Sequence, residues 1–126
     1  METNVLVLGI DGLDPEVTRQ LIAEGELPNF ASLNLYDLET TITPQSPIAW
    51  ASISTGTNPG KHNIFDFIRR DPETYKPLLS LAKASTGIGG TNYEPYLKGE
   101  PFWHITSEHN VPTDVIRWPL TFPPQE

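Results

Sequence analysis

The sequence predicts an α/β fold built around a mostly parallel central sheet. A short apolar run at residues 5–10 (VLVLGI) leads directly into a turn and then a helical pattern, which is the first half of a β-α-β unit. Later in the chain, a helical pattern over residues 101–109 leads into a β-prone segment at residues 111–118. Helices that alternate with strands are typical of parallel sheets whose faces are covered by helices.

The first elements follow from local signals. Residues 5–10 are continuously apolar and too few for a helix, so they predict a strand buried on both faces. A helix is predicted from Pro15 to about Glu24, since Asp-Pro is a favourable start and the glycine at position 25 a favourable end. Residues 27–33 predict an irregular or short helical connection, and residues 36–42 a second strand because β-forming side chains recur there.

A serine stands where the chain is predicted to turn from this second strand into a buried helix, in the segment TPQSPIAWAS at residues 43–52. Ser46 is a favoured N-cap type, and Pro47 suits the first helical position because it has no N–H to leave unsatisfied. Several free backbone N–H groups and the positive end of the helix dipole would then face a phosphate or a developing anion. An ordinary helix cap without chemistry explains the same residues, and caps are commoner than nucleophiles.

An aspartate follows the first predicted strand. Ligands in open α/β sheets bind at the carboxyl ends of the strands, so Asp11 is a candidate metal ligand or catalytic acid. Asp-Gly is also a common turn dipeptide, and a plain Asx turn is an equally good interpretation.

The rest of the chain holds weaker signals. A turn cluster at residues 55–60 precedes His62, which we expect to fix a loop through hydrogen bonds rather than to act as a ligand or base. Arg69 and Arg70 could bind an anionic substrate, but a solvated pair beside Asp71 and Glu73 is the favoured interpretation. Residues of about 82–99 predict an extended loop; the GIGG at residues 87–90 is a weak phosphate-loop signal, because neither a strand before it nor a Lys-Ser/Thr ending accompanies it.

Composition excludes several function classes. The 126 residues suit one domain, and a net charge of −8 argues against a nucleic-acid partner. The absence of cysteine excludes disulfides, thiolate chemistry and cysteine-based zinc sites. Neither a signal peptide nor an apolar run of transmembrane length is visible, so the expected compartment is the cytoplasm, with no membrane partner.

Three motifs together carry a family resemblance. LGIDG at residues 8–12, TPQSPIAWAS at residues 43–52 and TGTNPGKHNIFDF at residues 55–67 closely resemble the N-terminal part of the alkaline phosphatase superfamily. The similarity is best to its branch of type I phosphodiesterase / nucleotide pyrophosphatase-like proteins, and it covers essentially the whole chain. The combination and separation of the motifs make the resemblance specific.

The resemblance implies a fold and an activity. The fold would be an alkaline phosphatase-like sandwich with a mostly parallel central sheet, of which residues 1–126 are the N-terminal portion within a single catalytic domain. The activity would be metal-dependent hydrolysis of a small phosphorylated substrate, a phosphoric ester, with two divalent metal ions, zinc or manganese. Asp11 would be a metal ligand, and Ser46 would bridge the metals as the nucleophile that forms a phosphoserine intermediate. The histidine of the family's third motif, His62 here, would be structural.

Two departures limit what the resemblance implies. Phe67 stands where the nucleotide pyrophosphatase branch carries a phosphate-binding Asn, which disfavours nucleotide substrates. The family's remaining metal ligands come from the second half of a longer chain, so residues 1–126 alone are expected to be inactive and their metal centre incomplete.

Other functions remain open. A sulfatase requires a proline two residues after its nucleophile and an arginine four residues after it, but Ile48 and Trp50 stand at those positions. A phosphomutase would share the nucleophile and metals. A non-catalytic α/β binding or interaction fragment is the alternative from another class. The sequence predicts no oligomeric state.

Overall fold

A computed structural model describes residues 4–123, which divide into two compact units. The first unit ends at Glu39 and the second begins at Thr40. Four α-helices, a 3₁₀ helix and two antiparallel pairs of short strands make up the regular structure of the described residues, so the fold class is α/β.

The first unit is built around helix α1, Pro15–Ala23. Asp14 caps it: its Oδ1 accepts hydrogen bonds from the backbone N–H of Glu16 (2.8 Å) and of Val17 (2.9 Å). The helix predicted from Pro15 is therefore confirmed. A 3₁₀ helix at Phe30–Ser32 follows in the connection that the sequence predicts.

The strands predicted at residues 5–10, 36–42 and 111–118 are wrong, because the structure has irregular backbone there. Apart from Trp118, their large apolar side chains are exposed instead of buried: the exposed fraction is 89% for Leu6 and 97% for Ile42. A strand needs a neighbour to receive its backbone hydrogen bonds, and none of these segments pairs with another among the described residues. The parallel central sheet is accordingly not seen in residues 4–123.

The second unit is organised around helix α2, Ser46–Thr55. Its core consists of buried apolar side chains contributed by this helix and by the segment after it, namely Ile48, Trp50, Ala51 and Ile64. Gly56 ends α2 with a φ of 62°, a left-handed conformation that glycine adopts without strain. The short helix α3, Pro59–His62, then packs against α2.

An aromatic cluster attaches the last part of the chain to α2. The ring of Trp118 lies edge-on to Trp50, with 4.9 Å between the centroids, and its Nε1 donates a hydrogen bond to Ser54 Oγ (2.8 Å). Helix α4, Phe102–Glu108, adds Phe102 and Trp103 at centroid distances of 5.5 and 6.0 Å from Trp118. Aromatic pairs of this geometry contribute beyond the area that they bury.

All strands of the second unit form antiparallel pairs. Strand β1, Ile68–Arg70, pairs with β2, Pro77–Leu79, and strand β3, Ala82–Gly87, pairs with β4, Gly90–Pro95. The loop predicted for about residues 82–99 is therefore a hairpin over most of its length, and GIGG forms its tight turn rather than a phosphate loop. Both faces of this hairpin are exposed, so it lacks the alternation of polar and apolar residues by which a strand is predicted.

No helix in the described part of the chain is both long enough and apolar enough to span a bilayer.

Candidate functional site

Ser46 lies in the first turn of α2 and is half-buried. The N-cap is Gln45, whose carbonyl oxygen accepts hydrogen bonds from the N–H of Ile48 and of Ala49, both at 3.0 Å. The predicted helix start is thus confirmed within one residue, but Ser46 occupies the first helical position instead of the cap. Pro47 holds the second position.

Backbone N–H groups at the start of α2 that the sequence suggests are free already donate hydrogen bonds. Pro47 has no N–H, and the N–H groups of Ile48 and Ala49 donate to Gln45, so the expected cradle of several free donors is wrong. The helix dipole remains, equivalent to about half a positive charge at this end. Because the sequence of α2 contains no charged side chain, no charge within the helix offsets this potential.

The packing of α2 fixes the direction of the helix that carries Ser46. Ile48 and Ala51 are 1% and 0% exposed, and Ser54, at 1%, donates from its Oγ to the carbonyl of Trp50 (2.6 Å). A buried serine in an apolar helix is acceptable because its hydroxyl is satisfied in this way. Ser46 therefore begins a helix that is held on its buried side.

His62 has the structural role that the sequence predicts. Its side chain is completely buried; its Nδ1 accepts a hydrogen bond from the N–H of Ile64 (3.2 Å), and its Nε2 lies 3.0 Å from Ser52 Oγ. Burial lowers the pKa of His62 below its ordinary value of 6.5, because desolvation disfavours the charged imidazolium. At neutral pH, this histidine is a neutral link between α3 and α2.

Asp11 lies in a turn after the irregular segment 5–10 and is exposed. Gly12 has a φ of 69°, so the turn uses the left-handed conformation that glycine provides. Asp11 belongs to the first unit and Ser46 to the second. The structure thus defines a local environment for each candidate, and the role of each remains a prediction.

Asp11 and Ser46 supply oxygen donors of the kind that divalent ions accept, but two donors are too few for a protein metal centre. Across residues 4–123, no three His, Asp or Glu side chains gather in a group that could hold a metal ion. The described residues therefore do not fit a complete two-metal centre.

Arg69 and Arg70 pack against aromatic rings. The guanidinium of Arg69 lies 4.1 Å from the ring centroid of Tyr96, and that of Arg70 lies 5.8 Å from the ring centroid of Tyr75. Such stacking stabilises a cation on an aromatic face and shields one side of it from water. The sequence pattern favoured a solvated pair over a pair that binds an anionic substrate.

A comparison with known protein families finds a match over nearly the whole chain. The model of the family described as type I phosphodiesterase / nucleotide pyrophosphatase matches residues 5–126. The chain belongs to this family. Comparison with curated proteins finds no match, and comparison with solved structures finds none either. Membership of the type I phosphodiesterase family confirms the resemblance and indicates a hydrolase of phosphoric esters.

The sequence did not reveal the hydrogen-bond partners of two serines on helix α2. Ser52 faces His62, and Ser54 receives the indole N–H of Trp118. One signal was present: Ser52 and Ser54 stand among apolar residues of the helix, and hydroxyls that are removed from water require partners. Which side chains provide those partners depends on contacts across 10 and 64 residues of sequence, which no local pattern encodes.

Proposed function

We propose that this chain carries the nucleophile and one metal ligand of a metal-dependent hydrolase of phosphoric esters. Ser46 is the nucleophile, which passes through a covalent phosphoserine intermediate, and Asp11 is a ligand of one of two divalent ions, zinc or manganese. The observation that carries the proposal is the position of Ser46 in the first turn of the buried helix α2, within a chain that the type I phosphodiesterase family matches from residue 5 to residue 126.

The reaction at Ser46 is a transfer of the phosphoryl group. Its Oγ attacks phosphorus, and the bond from phosphorus to the leaving oxygen breaks with its electron pair going to that oxygen. The serine proton passes to solvent, and the leaving oxygen takes up a proton to depart as the alcohol. Water later attacks the phosphoserine, which restores the Ser46 hydroxyl and releases phosphate. A serine hydroxyl is a poor nucleophile until it is activated, and the positive end of α2 favours the anion that approaches it. Divalent ions supply the activation and charge neutralisation in such enzymes.

The substrate is proposed to be a small phosphoric ester other than a nucleotide. The net charge of −8 disfavours polyanions, and an apolar side chain, Phe67, stands where the nucleotide-binding branch is expected to carry an Asn. Phe67 is 55% exposed, so an aromatic surface is available at this position. The cytoplasmic location and the sandwich around a parallel sheet also stay predictions.

The test of the nucleophile is the variant Ser46→Ala in the natural full-length protein. We expect loss of turnover of an aryl phosphate ester in the presence of manganese or zinc, and loss of the phosphorylated Ser46 peptide that acid quenching traps in the unmodified protein. Ser107→Ala is the matched control, because Ser107 is an exposed hydroxyl that donates to a carbonyl of its own helix. Wild-type turnover in Ser46→Ala would exclude Ser46 as the nucleophile.

The test of the metal ligand is Asp11→Asn, with Glu39→Gln as a control that removes an equal charge from another exposed carboxylate. Calorimetric titration with manganese or zinc should show weaker binding for Asp11→Asn alone. Equal affinities in the two variants would remove Asp11 from the metal centre. Because the described residues supply only two donors, residues 1–126 by themselves should bind these ions weakly and hydrolyse no ester. Strong binding to that piece would contradict an incomplete centre, whereas neither binding nor hydrolysis by the full-length protein would favour the non-catalytic alternative.

A further inference from the structure

The side chain and backbone of His62 connect three segments of the second unit. The imidazole Nε2 meets Ser52 Oγ on α2, and Nδ1 receives the N–H of Ile64. The carbonyl of His62 accepts the N–H of Lys98 (2.9 Å), which ties the segment after β4 to the same turn. His62 has no exposed surface, so its own atoms in these contacts lie away from water.

The contacts determine which ring nitrogen carries the proton. A backbone N–H can only donate, so the nitrogen that receives Ile64 N–H must hold a lone pair, and Nδ1 is therefore unprotonated. The proton of the neutral ring then lies on Nε2, which donates to Ser52 Oγ. A second proton on Nδ1 would break the bond to Ile64 and place a charge in the interior.

Burial outweighs the interaction that favours this charge, a hydrogen bond with the backbone of His62 itself, which raises the pKa less than burial lowers it. Helix α2 has no titratable side chain. The titratable side chains of α3 and of residues 96–99 are Lys61, Tyr96 and Lys98, and neither lysine can stabilise another cation. The carboxylates nearest in sequence to these segments, Asp66 and Glu100, are exposed.

We propose that neutral His62, as the Nε2–H tautomer, is a positioning residue that holds α2 in place, and that its protonation in acid releases the helix. Ser46 lies six residues before Ser52 on α2, about 9 Å along the axis. Protonation therefore weakens the support of the turn that presents Ser46. The consequence for catalysis rests on the proposed function, whereas the release of the helix does not.

The direction of the pH effect follows from proton binding. Burial lowers the pKa of His62 in the folded state, so the unfolded chain takes up its proton first as the pH falls. The contribution of His62 to stability is complete above its ordinary value of 6.5 and is lost as the pH falls from there to the folded value. Acid therefore favours opening around α2.

The test uses the 126-residue chain and nitrogen-15 NMR. Long-range imidazole spectra should show His62 as the Nε2–H tautomer at neutral pH, and it should titrate below 6.5. Protection factors of the α2 amides, corrected for intrinsic exchange, should fall as His62 takes up its proton. Ser52→Ala should lower them about three- to tenfold at neutral pH, the worth of one hydrogen bond.

Matched variants separate this role from general acid instability. His62→Gln keeps a donor toward Ser52 without a titrating group, so its protection should not fall over the range in which His62 titrates. His109→Gln, which alters an exposed histidine on the last turn of α4, should behave as wild type. An Nδ1–H tautomer, or equal pH dependence in wild type and His62→Gln, would overturn the proposal. If His62→Gln does not fold, the tautomer and the Ser52→Ala result decide. The tautomer, its titration and the amide protection are all measured without turnover, so failure of the nucleophile and failure of this inference are distinguishable.

Discussion

Helix α2 and the apolar segment at residues 5–10 both suggest burial in the sequence, and residues 36–42 predict a strand, yet only the helix is buried. Ile48 and Ala51 on α2 are 1% and 0% exposed, whereas Leu6 and Ile42 are 89% and 97% exposed. The difference is not one of hydrophobicity. It lies in where each segment finds partners for its backbone.

A helix satisfies most of its backbone N–H and C=O groups within itself, but a strand satisfies none without a neighbour. Helix α2 therefore needs only side-chain contacts from its neighbours, such as that of Trp118 with Trp50. The segments 5–10 and 36–42 stay irregular because no described residue pairs with them. An apolar run thus indicates burial reliably only when its hydrogen bonds are local.

The largest expected effect on stability comes from a substitution in the buried face of α2. Ile48→Ala removes a fully buried side chain and should lower the free energy of unfolding by about 2–5 kcal/mol, since a cavity adds to the lost burial. Ile42→Ala, the same change at a 97% exposed position of the same unit, should alter it by no more than about 0.5 kcal/mol.

Urea unfolding followed by tryptophan fluorescence measures both variants. Trp50 and Trp118 are in contact, so their fluorescence should change when the core around α2 unfolds. If Ile42→Ala were as destabilising as Ile48→Ala, residues 36–42 would be buried in solution, and the contrast between the helix and these segments would disappear.

Helix boundaries could be predicted from sequence because their signals are local. Asp14 before a proline marked the start of α1, and Ser46-Pro47 marked the start of α2 within one residue. The helix predicted for residues 101–109 is present as α4. In each case, a proline at or next to the first helical position is compatible with the start of a helix and not with its interior.

Strands and side-chain partners could not be predicted because they depend on distant residues. The β3–β4 hairpin is exposed on both faces and gives no periodic signal, so it was expected to be a loop. For the candidate site, the sequence indicated the chemistry of Asp11 and Ser46 and the structural role of His62. It could not show that His62 contacts Ser52 or that the N–H groups of Ile48 and Ala49 are already used.

A substitution with a smaller expected effect tests whether helix α1 is stabilised more by its N-cap than by packing of its side chains. Thr18 is the buried residue of α1, so the helix has little packing to compensate for a lost cap. Asp14→Ala removes the acceptor for two backbone N–H groups and should cost about 1 kcal/mol. Hydrogen exchange should show faster opening of α1 but not of α2. Asp14→Ser keeps a capping oxygen and should remain close to wild type; faster exchange in both helices would mean that the cap has a wider role.

The smallest expected effect on stability concerns the turn between β1 and β2, which is exposed, whereas helix α2 is buried. Asp71 Oδ1 accepts hydrogen bonds from the N–H of Glu73 (2.8 Å) and of Thr74 (3.1 Å), and these bonds lower the pKa of Asp71 below its ordinary value of 3.8. Because the folded state holds this proton less tightly than the unfolded chain, the contribution is complete above 3.8 and is lost as the pH falls through the folded value.

Asp71→Asn keeps an oxygen acceptor for the turn but cannot titrate. Its free energy of unfolding should therefore decline less steeply below pH 3.8 than that of the wild type. The difference between the two proteins should be smaller than the effect of removing the α1 cap, because the turn is open to solvent. Carboxyl carbon-13 titration of the folded chain measures the pKa directly. An ordinary pKa for Asp71 would show that the turn between β1 and β2 opens in solution. The hydrogen bonds of this short antiparallel pair would then be too weak to hold it without packing.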